Sequence, residues 1–167
     1  KKISPVERFE KDGFFWQIRN RSMVQSLLSP GSNGIIAEFK RKSPSKGWLK
    51  SKDLEVEPVV TAYNKNAAGI SVLTDTAYFG GDLDDLIQTK VLTDIPVLRK
   101  DFIIDKWQIA EAKAFGADVI LLIAACLDKR QLEDFLGTAE GIGLDVLVES
   151  HTLKELDKAL IAGSRIV

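Results

Sequence analysis

The sequence is short of several groups on which common functions depend. It has one cysteine, Cys126, which excludes an intrachain disulfide framework and leads us to expect a reducing, cytoplasmic setting. Its one histidine, His151, stands beside Thr152 at a helix start and reads as a surface residue rather than a base. No apolar run approaches the roughly 20 residues of a membrane span. The charged first residues read as a helix, not as a basic-then-apolar leader. Neither sign of charge dominates. With 23 basic and 24 acidic residues the net charge is -1, so no global field recruits nucleic acid or a membrane. No G-x-G-x-x-G follows the first apolar run, which weakens a dinucleotide-binding reading. Low-complexity segments and linkers are missing as well.

What is present is an alternation. The chain has 167 residues, 45% apolar and 28% charged, enough for one domain with a substantial core. Short β-branched runs predict strands at Ile35–Lys40, Ile70–Thr74, Pro96–Lys100, Asp118–Ile123, Asp145–Glu149 and Arg165–Val167. They recur about every 20–35 residues, the spacing of βαβ units. Helix starts are marked by Asp105 before Gln108, Asp128 before Gln131 and Thr152 before Glu155, each a capping-box pattern. Asp82 is expected to cap a helix over Leu83–Val91. Ser4-Pro5 predicts a helix ahead of the first strand, with Phe14, Phe15 and Trp16 on its apolar face. Gly69, Gly116 and Gly163 are read as helix-ending glycines. The fold class is therefore α/β, one domain over residues 1–167. An N-terminal helical extension covers about 1–33 and β/α units about 34–167. An open doubly wound sheet and a (β/α)8 TIM barrel both fit this order.

Charge then falls where an apolar core is expected. Residues two apart on a strand share a face. Glu38 and Lys40 therefore share a face with Ile36, while Ile35, Ala37 and Phe39 share the other. Lys100 closes its strand on the face of Leu98, and Glu149 closes its strand on the face of Leu147. Two cations and two carboxylates thus sit at C-terminal strand ends, where (β/α)8 barrels place their chemistry. A single charge at a strand end is ordinary solvent exposure. Four together must pair with one another or meet a charged ligand. The stretch Arg41–Asp53 carries Arg41, Lys42, Lys46, Lys50 and Lys52 and reads as a loose loop. Its lack of interleaved aromatics beyond Trp48 argues against RNA binding. Cys126 reads as a small core or loop residue, and Asp75 as a turn or cap.

The segment Ile36–Gly47, "IAEFKRKSPSKG", resembles the signature of the indole-3-glycerol-phosphate synthase family. "ISVLTDTAYFGGDLDDL", "PVLRKDFIIDKWQIAEAKAFGADVILLIAACL" and "LDVLVESHTLKELDKAL" agree with it in order and spacing. The resemblance implies a TIM barrel and a lyase of tryptophan biosynthesis. Its reaction is ring closure, decarboxylation and dehydration of 1-(2-carboxyphenylamino)-1-deoxyribulose 5-phosphate to indole-3-glycerol phosphate. It implies no metal and no organic cofactor, and a phosphorylated small molecule as the partner. Residue by residue, it casts Lys100 as general acid and Glu149 as general base. Lys40 becomes an anion-binding group or second proton donor, and Glu38 the carboxylate that holds the lysines. It makes Ser43 a phosphate-side hydroxyl, with Phe102 and Phe79 as walls for the substrate's benzene ring. Lys42–Lys46 would belong to a mobile loop that closes over the site.

A complete barrel of this kind needs about 250 residues. The sequence is therefore expected to be the first six strands of eight, completed by further chain or by self-association. Two alternatives stay open: a truncated, non-catalytic half-barrel fragment, or another phosphate-binding TIM-barrel enzyme. Phosphoribosylanthranilate isomerase, an instance of the latter, is disfavoured, because it is expected to place a cysteine where this chain has Lys40.

Overall fold

The computed structural model describes residues 5–49, 51 and 54–167. Ser4, Lys50, Lys52 and Asp53, named above, lie outside the described residues. The chain begins with helices α1 (Pro5–Asp12) and α2 (Met23–Leu28). Strand β1 (Ile36–Phe39) leads into a hairpin of two short strands, β2 (Lys42–Ser43) and β3 (Gly47–Trp48). Then follow α3 (Val56–Asn66), β4 (Gly69–Leu73), α4 (Thr76–Phe79), α5 (Leu83–Leu92) and β5 (Val97–Lys100). The chain continues through α6 (Lys106–Ala114), β6 (Val119–Ile123), α7 (Lys129–Gly141), β7 (Asp145–Glu149) and α8 (Leu153–Ile161). Five strands form one parallel sheet in the order β1-β4-β5-β6-β7. Each strand lies beside the next long strand in sequence, with helices on the crossovers, as βαβ units require.

Parallel strands are covered on both faces, and strand alternation sorts the two cores. Phe39, Ile70, Val72, Val97, Ile120, Leu122, Val146 and Val148 point outward. They pack against Val60 of α3, Leu86 of α5, Ile109 of α6 and Leu132 of α7. Complete burial of each such side chain contributes about 1.5–3 kcal/mol before chain entropy is counted. Leu98, Val119 and Leu121 point the other way and meet Met23 of α2. That helix covers the N-terminal end of the inner face. Asp145 fixes it there, accepting from the Ser22 hydroxyl at 2.9 Å and the Met23 amide at 2.8 Å.

The helix starts follow the capping logic. Asp82, Asp105 and Asp128 each close a capping box with the residue three further on. Thr152 caps α8 through the Glu155 amide, but the Glu155 carboxylate reaches the His151 amide instead of closing a box.

Four expectations are corrected. Gly69 does not end a helix. It opens β4, and a Cβ there would lie 2.6 Å from the Met23 thioether, so the end of that side chain would have to shift to admit one. Phe14, Phe15 and Trp16 do not form a helical face, because α1 ends at Asp12. Phe15 alone is buried, since the chain turns beside Gly13, whose own Cβ would press on Ala114 of α6. The loop after β1 is not loose over residues 41–49, because the hairpin pairs it internally. The run Arg165–Val167 makes one parallel bridge, Ile166 to Leu147, rather than a strand. Ile166 accepts from the Val148 amide at 3.0 Å.

Candidate active site

Three of the four charged strand-end residues form one chain of contacts. Glu38 on β1 accepts from Lys40 Nζ at 2.5 Å through Oε1 and from Lys100 Nζ at 2.9 Å through Oε2. Burial pushes the Glu38 carboxyl up, but the two ammonium groups together outweigh it and hold the carboxyl below its ordinary value. One carboxylate thus bridges two cations, leaving a net positive cluster at the C-terminal ends of β1 and β5.

The fourth residue, Glu149, ends β7 and lines the same cavity as Glu38 and Lys100. That cavity measures about 340 Å³. Its walls include apolar Ile36, Leu98, Leu121 and Leu147, so charge lies above a floor of hydrocarbon. Glu149 Oε1 is 2.9 Å from His151 Nε2. His151 is exposed, as the sequence suggests, yet its ring meets the carboxylate. The signal available in advance was the spacing, two residues past the strand's last charge.

Phe79 at the end of α4 stacks on Phe102 with ring centroids 6.2 Å apart, and Tyr78 meets Phe102 edge-on at 5.9 Å. Both phenylalanines therefore belong to one aromatic patch, on the loops that follow β4 and β5. Neither phenylalanine lines the cavity of Glu38, Lys100 and Glu149, and Ser43 also stands apart from it. Ser43 lies in the β2–β3 hairpin, where its hydroxyl accepts from the Lys46 amide at 3.2 Å.

The hairpin is anchored rather than free. The Arg41 guanidinium grips Asp85 of α5 with two nitrogens, one of them 2.8 Å from Oδ1. Its Nε donates to the Leu54 carbonyl at 3.1 Å, and the group lies 5.0 Å over the Phe39 ring. Lys42 Nζ donates to the Ala77 carbonyl at 2.7 Å, tying the hairpin to α4. Gly81, just past α4, leaves no room for a side chain, since a Cβ would overlap the Leu73 carbonyl oxygen.

A second network was not anticipated. Arg99 is buried on the outer face of β5 and donates to Thr74 at 3.2 Å and Asp101 at 3.0 Å. It also pairs with Glu111 at 2.9 Å. Asp101 in turn accepts from the Thr74 hydroxyl at 2.6 Å and the Phe102 amide at 2.8 Å. The backbone on either side of Lys100 is thereby fixed. Alternation in "VLRK" places Arg99 on the apolar face, where only a fully paired cation is tolerable.

Asp75 caps α4 and Cys126 is exposed. Among the described residues no group of three or more His, Cys, Asp or Glu could hold a metal ion. Among them, too, no helix is long and apolar enough to cross a membrane.

Solved structures share the architecture at low sequence identity. Mandelate oxidase with benzoyl-formic acid superposes with a TM-score of 0.59 and 16% identity, over 89% of this chain and 52% of that one. KGPDC from Streptococcus mutans gives 0.52 and 15%, over 71% and 61%. These likenesses establish the α/β barrel class. Sequence relatives are much nearer. An indole-3-glycerol phosphate synthase of Leptospira interrogans is 50% identical, over 89% of this chain and 59% of its own length. Those of Desulfotalea psychrophila and Carboxydothermus hydrogenoformans are 49% and 42% identical, over 88% and 92% of this chain. This chain spans 56% and 63% of those two. The family model described as Indole-3-glycerol phosphate synthase matches residues 1–167. The chain belongs to the indole-3-glycerol phosphate synthase family.

Proposed function

We propose that the protein closes the indole ring of 1-(2-carboxyphenylamino)-1-deoxyribulose 5-phosphate, releasing carbon dioxide and water to give indole-3-glycerol phosphate. The observation that carries this reading is the Glu38 carboxylate bridging Lys40 and Lys100 at the rim of a cavity that Glu149 also lines. Membership of the family supports it.

The chemistry divides among these groups. The ring carbon bearing the carboxylate attacks the ketose carbonyl, and the carbonyl oxygen must take up a proton as the bond forms. The Lys100 ammonium is the proposed donor of that proton, and its contact with Glu38 at the cavity supports the assignment. Loss of carbon dioxide returns its bonding electrons to the ring and restores aromaticity. The new hydroxyl then leaves as water with a proton from an acid, while a base removes a proton from the adjacent carbon. Lys40 or Lys100 serves as that acid and Glu149 as the base. The Lys40 and Lys100 ammonium groups offer cationic partners to the doubly anionic substrate, and the Phe79–Phe102 stack offers a wall for its benzene ring. Ser43, in its anchored hairpin, is assigned to the phosphate side. The same reading takes residues 1–33 as an N-terminal extension of a single barrel domain, working in the cytoplasm on a small phosphorylated partner.

Incubating the protein with this ribulose phosphate and following product fluorescence tests the reading. Product should accumulate with one carbon dioxide released per turnover. A protein that neither binds nor converts the compound would overturn it.

A further inference from the structure

Among the described residues, two buried side-chain polar atoms have no hydrogen-bond partner, the hydroxyls of Ser71 and Ser150. Both residues line the cavity that holds Glu38, Lys100 and Glu149. Ser71 is the more informative, because it is only 4% exposed and sits mid-strand. Its strand, β4, reads Gly-Ile-Ser-Val-Leu and is buried throughout. Ile70 and Val72 enter the outer core, so Ser71 faces the inner side. Its register partner on β1 is Glu38, and on β5 it is Leu98. Lys100 pairs two residues further on, with Leu73. The hydroxyl therefore stands on the cavity floor beside Glu38, two residues beneath the lysine's level, in a lining that also includes Ile36, Leu98 and Leu121.

A hydroxyl buried without a partner is destabilising, and alanine would fill this place at lower cost. The nearby charged groups do not satisfy it. Both Glu38 oxygens are engaged by lysines, and Glu149 is turned to His151. The unmet donor and acceptor are thus presented to whatever enters the cavity.

Resting on the function proposed above, we infer that Ser71 is a substrate-contacting residue. Its hydroxyl hydrogen-bonds an oxygen of the open-chain ribulose portion, the part that carries the carbonyl and hydroxyl groups. The apolar remainder of the floor suits carbon, and this one hydroxyl sets where an oxygen sits beneath Lys100. Ser71 is then a determinant of substrate orientation that charge alone would not reveal.

The test compares wild type with Ser71→Ala in two measurements. In thermal unfolding without ligand, the variant should be as stable as wild type or more so, because the hydroxyl it loses was unpaired. In turnover, kcat/KM should fall about tenfold, the loss of one hydrogen bond to substrate. Ser71→Thr, which keeps a hydroxyl, should retain more of kcat/KM than alanine does. A lowered melting temperature with unchanged kcat/KM would assign the hydroxyl to the scaffold and overturn the inference. An inactive wild type would instead defeat the function proposed above. In that case ribulose 5-phosphate serves as the probe in calorimetry. Weaker binding by Ser71→Ala supports the contact, and equal binding or no binding by either protein removes it.

Discussion

Lys90 Nζ of α5 lies 2.6 Å from Asp118 Oδ1, and both side chains are buried. The carboxylate does more than neutralise the lysine. Oδ1 also accepts from the Arg21 amide at 2.8 Å, and Oδ2 from the Val97 amide at 3.0 Å. Asn20 donates to the Asp118 carbonyl at 3.3 Å, and Lys113 holds Asn20 and the Ile18 carbonyl. One buried acid thus joins α5, the start of β5 and the N-terminal segment that leads into α2. Burial lowers the proton affinity of Lys90, against the pull of Asp118.

Asp118→Ala should therefore destabilise the protein by about 3–5 kcal/mol, the cost of leaving a buried charge uncompensated. Urea unfolding measures this. Replacing both partners, Lys90→Met with Asp118→Leu, should recover only part, because the Arg21 and Val97 amides still lose their acceptor. Full recovery in the double variant would mean that the ion pair alone matters there.

Arg41→Ala makes a second test of buried charge. Asp85 is 2% exposed and keeps only local bonds at its helix start once the guanidinium is gone. We expect a loss of about 3 kcal/mol or more. The β2–β3 hairpin should also become more open to proteolysis between Lys42 and Lys46, since Arg41 ties it to α5 and Leu54. An unchanged cleavage pattern would show that Lys42 and Trp48 suffice to hold it.

The sheet was legible because parallel strands covered on both faces are written as apolar runs, and aspartate caps announced the helices between them. The candidate site was legible because charge interrupts those runs at their C-terminal ends, at Glu38, Lys40, Lys100 and Glu149. Asp118 and Asp145 break the pattern equally plainly at the opposite ends. Their meaning was hidden because their partners, Arg21 and Met23, lie 97 and 122 residues away. Local spacing carries no trace of such pairings. The hairpin escaped for another reason, since strands of two residues are too short to show a period. Ser71 reads as a small residue in a strand, and only its lack of a partner in three dimensions sets it apart.

Lys100→Ala should lower turnover by about 10²–10⁴-fold, the contribution of a positioned acid. The melting temperature should change little, because the Lys100 side chain is 33% exposed and Glu38 retains Lys40. Near-normal turnover would remove Lys100 from the role of general acid. A variant that fails to fold would contradict its placement at the rim.

Glu38 gives the site a dependence on acid whose sign follows from its two lysines. Its carboxyl holds a proton less firmly in the folded chain than in the unfolded one, despite the burial that acts the other way. Near and below the ordinary value of 4.5 the unfolded chain therefore binds more protons at this position, so stability rises with pH there. The contribution is complete above the unfolded value and is lost as pH falls through the lower folded value. Glu38→Gln cannot titrate, so its urea midpoint should fall less between about pH 6 and pH 3 than that of wild type. Equal slopes for the two proteins would mean that the Lys40–Glu38–Lys100 bridge is not maintained in solution.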